Sequence, residues 1–130
     1  MIPKFRARDE RGNWHVGLLT FMFGQYAIVN EADENSVYLI DKETVGQSTG
    51  LKDKNGVEIF EGDLVEHDDN INGTWETFEA CEIVYDVYYA QFCFKNDASN
   101  FLSYYRNLCI IGNVYEDGDL LNDSEDTKRN

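Results

Sequence analysis

Between Thr44 and Glu66 the chain reads TVGQSTGLKDKNGVEIFEGDLVE, and glycine or aspartate interrupts it every few residues. Such spacing leaves no room for a helix and forces short extended segments joined by tight turns. In "DKNG", Asp53 has the chemistry to bond back to the backbone and Gly56 to take a positive φ. "VEIF" alternates as a strand, and "EGD" is a second tight turn with Gly62 at its positive-φ position. "TVGQSTG" is polar and glycine-punctuated, and it reads as an extended loop. Gly46, Gly50, Asp53, Gly56, Gly62 and Asp63 thus form a turn signature whose work is structural.

The same pattern runs through the rest of the chain. "PKFRAR" alternates weakly and reads as a half-exposed edge strand with Pro3 at its start. "DERGN" is a turn, and Val16 to Val29 reads as one or two core strands. That run is too short for a membrane span, and Asp9 and Glu10 dilute the basic region a secretory signal needs. "VYLI" (Val37 to Ile40) is apolar on both faces, as a buried strand would be. Asn72-Gly73 marks a hairpin tip. Phe78 to Phe94 is the most β-rich segment, either one long strand bent near Asp86 or two strands. "NDASNFLSYYRN" predicts one helical turn capped by Ser99 or Asn100. The last strand is "LCIIGNVYE", with a bulge at Gly112. The expected fold is mainly β, a small SH3-like barrel with additional strands and at most one short helix. At 130 residues, one domain over residues 1–115 is expected, with an acidic, partly disordered tail over 116–130.

Charge narrows the partners. The net charge is −14, which repels a phosphate backbone, so no direct binding to nucleic acid is expected. No Lys or Arg lies between Lys54 and Lys95, whereas Lys4, Arg6, Arg8 and Arg11 crowd the N-terminus. That polarity suits head-to-tail self-association or a basic partner, and it equally serves solubility. Cys81, Cys93 and Cys109 are odd in number and share no CxxC spacing, which points to free thiols in a reducing compartment.

Catalytic and metal motifs are not evident. The grouping Glu66 to Asp69 with His15 is the sole metal-like set, and it is short of ligands. Ser48-Thr49-Gly50 is no nucleophile elbow, and "GQSTGLKDKNG" lacks the ending of a phosphate-binding loop. No cofactor, metal or catalytic residue is assigned. Tyr85, Tyr88 and Tyr89 form the candidate interface, because a thin β fold cannot bury all three and still satisfy their hydroxyls.

The string from Gly46 to Asp63, followed by "IIGNVYEDGDLL", resembles the YopX family of phage and prophage proteins. The opening "KFRARD" resembles that family's N-terminal strand, with Arg8 where an aromatic residue is usual. The resemblance implies a phage-encoded β fold related to SH3-like barrels, without established activity, in the cytoplasm of an infected bacterium. Two roles are carried as expectations beside a third, a metal-dependent enzyme, which would need several acids and His67 to converge in one cleft. One is a non-enzymatic interaction module that forms homo-oligomers or binds a host or phage protein. The other is an acidic decoy that mimics nucleic acid and occupies a basic host protein.

Overall fold

The computed structural model describes residues 3–71, 74–77, 80–95, 97–101 and 108–118. Two compact units divide the chain, residues 1–48 and 49–130.

The first unit is an antiparallel meander of β1 (Phe5–Arg8), β2 (Trp14–Met22), β3 (Gln25–Asn30) and β4 (Val37–Leu39). A 3-10 turn at Lys42–Thr44 follows, with Asp41 accepting from the Glu43 N–H as its cap. The chain then enters β5 (Gly46–Lys52), whose start pairs antiparallel with β1 through Gly46 and Gln47. Strand order in this unit is therefore β4-β3-β2-β1-β5. Two expectations are corrected together here. The polar segment read as a loop is strand β5, and by pairing with β1 it makes "FRAR" an interior strand instead of an edge. Hydropathy was the misleading signal, because a ladder of main-chain hydrogen bonds does not require apolar side chains. β4 is corrected in the opposite sense. Its three residues are 36–48% exposed, and it ends the sheet.

Alternation within the ladder sorts the side chains. Phe5, Ala7, Leu19 and Ile28 share the face that packs with Ile40 and Val45 to make this unit's core. Gly17 lies opposite Phe5, and a Cβ there would overlap the Val29 carbonyl. Only glycine lets β2 and β3 approach so closely.

In the second unit, the later part of β5 forms a hairpin with β6 (Glu58–Phe60). The other strands are β7 (Asp63–Ile71), β8 (Thr74–Thr77), β9 (Cys81–Asp86), β10 (Gln91–Phe94), β11 (Asp97–Phe101) and β12 (Leu108–Asn113). Their order is β11-β10-β9-β7-β12, with β8 paired to the far half of β7. Ile59, Val65, Ile83, Phe94 and Leu108 form the core, with Cys81, Phe92 and Ile110 packed against it. All three cysteines are free thiols, Cys93 fully buried.

The β-rich run divides into two strands at Asp86, and the register of β12 shifts between Ile110 and Gly112 as a bulge requires. Ser99 and Asn100 lie in β11 and cap no helix. Asn72 and Gly73 lie outside the described residues, between partners Ile71 and Thr74. Residues 119–130, most of the expected acidic tail, lie outside them too. The architecture is mainly β as expected, but the strands make two antiparallel sheets that do not close into a barrel. Among the described residues the 3-10 turn is the one helical element, and no helix is long and apolar enough to cross a membrane.

Candidate functional site

The turn signature is built around Asp53, which is 7% exposed. Its Oδ1 accepts from the N–H groups of Asn55 and Val57, both at 2.9 Å, and its Oδ2 from the Ile110 N–H at 3.2 Å. The main chain repeats the connection, since Asp53 N–H donates to Val57 and Lys54 N–H to Leu108. One carboxylate thus closes the β5–β6 hairpin and fastens it to β12. Burial works against ionisation of this group, but the N–H donors of Val57, Ile110 and Asn55 outweigh it and hold the carboxyl below its usual range.

Asp63 is 1% exposed and accepts from the Phe60 N–H at 2.8 Å across the second turn. Gly62, between them, has a φ of 89°, and its N–H and C=O bond to Ile83 and Val114. Gly50 and Gly56 also have positive φ, while Gly46 is a buried strand residue. Both aspartates are engaged by backbone amides. Among the described residues, no three His, Cys, Asp or Glu side chains gather as a metal site. The side chains of His67, Asp68 and Asp69 lie outside the description. His15 instead meets Asp9, Nε2 to Oδ2 at 2.9 Å, and stacks on Tyr38 with ring centroids 3.8 Å apart. The hydrogen bond with His15, helped by the Asn13 and Arg11 N–H groups, lowers the Asp9 pKa to about 2.

The three tyrosines cluster at the tip of the β9–β10 hairpin. Asp86 Oδ1 accepts from the N–H groups of Tyr88 and Tyr89, which fixes the turn. Tyr88 is 94% exposed beside the exposed Val87 and Tyr89, whereas Tyr85 packs edge-on against Phe92.

A second exposed set, in the first unit, was not read from the sequence. From Val16 to Asn30 there is no Asp, Glu, Lys or Arg, although 28% of the chain is charged. The β2–β3 hairpin occupies that stretch. Phe23 and Gly24 form its two-residue turn, with φ of 52° and 76°. Positive φ at both positions defines a type I′ turn, which favours Asn-Gly and disfavours a bulky first residue. Phe23 nevertheless stands there 93% exposed. Phe21 and Tyr26 flank it, ring edge to ring face, at 5.0 Å. On the opposite face Leu18, Val29 and Val37 form a row across β2, β3 and β4. The absence of charge, joined to an aromatic in a turn that wants asparagine, was the available signal. Beside the end of β4, Leu39, Asp41 and the β1–β2 turn at Arg8–Gly12 border a cleft of about 590 Å³.

This geometry offers exposed apolar surface and an open strand edge. The comparisons agree with the fold. A crystal structure of protein EF1440 from Enterococcus faecalis is 28% identical and superposes with a TM-score of 0.58, over 93% of this chain and 99% of that one. No curated protein matches. The YopX protein family profile matches residues 4–122, nearly the whole length, and the chain therefore belongs to the YopX family.

Proposed function

We propose that this chain is a phage-encoded, non-enzymatic interaction module of SH3-like ancestry, which self-associates or binds a host or phage protein. The supporting observation is the exposed apolar set of the first unit. Leu18, Phe21, Phe23, Tyr26, Val37, Tyr38 and Leu39 are between 36% and 93% exposed. At about 200 Å² for a large side chain, these exposures come to roughly 700 Å², divided between Leu18, Val37 and Leu39 on one face of the sheet, Phe21, Tyr26 and Tyr38 on the other, and Phe23 at the hairpin tip. Either face together with Phe23 offers roughly 450 Å², about half of the ~800 Å² that one partner contributes to a standard interface. A patch of that size falls within the roughly 300–600 Å² of a typical monomer's largest, which is often functional. The tyrosine-rich tip with Tyr85, Tyr88 and Tyr89 offers a second surface of the same kind.

Sedimentation velocity across a wide concentration range tests the reading. A concentration-dependent oligomer that Phe23→Asn disrupts is the expected result. A strict monomer that captures no host or phage protein overturns it. In the decoy role, capture of basic host proteins is salt-sensitive and is lost when Glu66, Asp68 and Asp69 are neutralised together.

A further inference from the structure

We propose that the open edge of β4 accepts an extended segment of a partner protein by strand addition, with apolar residues at alternate positions and basic residues on both flanks. The inference rests on the interaction reading above and specifies the partner.

Hydrogen bonding defines the edge. Asn30 N–H donates to the Ser36 carbonyl and Ile40 N–H to the Tyr26 carbonyl, while Ile28 lies opposite Tyr38. Alternation in an antiparallel ladder then turns Ser36, Tyr38 and Ile40 toward β3. The N–H and C=O groups of Val37 and Leu39 face away from it. Their spacing of about 6.7 Å is the repeat an incoming strand offers. Natural edges are guarded by shortness, lysine, proline, a bulge or an inward charge. β4 is short, at 3 residues, but Val37-Tyr38-Leu39 contains no charge and no proline, and its register with β3 runs without a bulge.

Side-chain rows set the pattern of the incoming segment. Val37 extends the row Leu18–Val29, and Leu39 extends Thr20–Ala27. A new strand beside β4 adds one residue to each row, so alternate residues of that strand are apolar. Charge sets its flanks. Glu31, Asp33 and Glu34 precede β4, with Lys4 paired to Glu31 at 3.3 Å; Asp41 and Glu43 follow it beside Lys42, where the adjoining cleft adds Asp9 and Glu10 against Arg8 and Arg11, so acids outnumber cations at both ends. Ser36 and the Asn35 N–H keep Asp33 ionised. A second copy of β4 would set acid against acid. The complementary occupant is therefore a different protein segment with Lys or Arg outside an apolar centre.

The experiment uses the full chain and a labelled probe, Lys-Lys-Val-Thr-Val-Thr-Lys-Lys, read by fluorescence anisotropy. A control probe has Glu in place of every Lys. The basic probe is expected to bind at least about tenfold tighter than the control, with the gap closing in high salt. Val37→Pro removes an outward N–H and leaves the ladder to β3 intact. It should weaken the basic probe by about tenfold, the worth of one hydrogen bond, without moving the melting temperature. Should Val37→Pro fail to fold, the probe takes the test. N-methylation at the positions facing β4 must abolish binding to the wild-type chain, and N-methylation at the alternate positions must not. Equal binding by the two probes, or indifference to both backbone changes, overturns strand addition. Absence of peptide binding in a chain that still oligomerises through Phe23 overturns this inference alone. Absence of both overturns the interaction reading with it.

Discussion

Phe23→Asn separates stability from association in a single substitution. Phe23 occupies the first position of a type I′ turn at φ 52°, where a β-carbon is crowded and asparagine is well tolerated. Relief of that crowding is worth about 1 kcal/mol, and the ring gives up little packing because it is 93% exposed. For a chain of this size, the melting temperature should rise by about 3–5 °C in differential scanning calorimetry. The interface should respond in the opposite direction. The ring withdraws about 200 Å² from any contact, a ceiling near 5 kcal/mol by area. A buried aromatic anchor commonly costs at least ~2 kcal/mol to remove, so sedimentation velocity should report association weakened by about thirtyfold or more. A lower melting temperature would mean that the ring packs within its own fold. A higher one with unchanged association, or a wild-type chain that never associates, would show that the hairpin tip is no anchor.

Other perturbations test the scaffold. Asp53→Asn retains one acceptor oxygen where two oxygens now serve three N–H donors, so urea unfolding should show a loss of about 1.5–3 kcal/mol near neutral pH. Because the folded pKa of Asp53 is depressed, its contribution is fully present above the ordinary 3.8 and fades as pH falls through the lower folded value. The gap between wild type and Asp53→Asn should therefore narrow in acid below that range, and a constant gap would contradict the ionised clamp. Gly17→Ala drives a methyl group into the Val29 carbonyl and should cost at least about 2 kcal/mol by thermal unfolding. Gly62→Val combines a φ of 89° with a Cβ only 3.1 Å from the Tyr115 ring. A loss of about 1–3 kcal/mol is expected there, and normal melting would refute the turn argument.

What could be read in advance depended on whether a signal was local. Turns carry their chemistry in one or two residues. The positive φ of Gly62, the backbone tie made by Asp53 and a bend or break near Asp86 were therefore accessible from residue type alone. Pairing is not local. Nothing in "TVGQSTG" announces that Gly46 and Gln47 will meet Arg6 and Phe5, some forty residues away in sequence. The contact from Asp53 to the Ile110 N–H is likewise invisible, although Asp53 itself stood out. The misreading of β4 has a different cause. A strand apolar on both faces is buried when covered, and covering belongs to the tertiary structure or to a partner. Val37, Tyr38 and Leu39 have the composition of a covered strand and the exposure of an open one.

That mismatch links the two halves of the argument. Single exposed apolar residues are ordinary on protein surfaces. Phe23, however, is held in a backbone region that works against its own side chain, and β4, guarded by its shortness alone, has no charge, proline or bulge along its edge. Each feature works against the isolated fold, one through backbone strain and the other through a free strand edge, and the two lie in the same unit. The second unit displays Tyr88 by other means: Asp86 stabilises that turn, and its positive-φ position, at 53°, falls on Ala90 instead of an exposed aromatic. Departures from self-consistency in a folded chain concentrate where it does its work. The first unit is accordingly where a bound protein should protect amides from hydrogen exchange, at Val37 and Leu39 before any residue of the Asp53 turn.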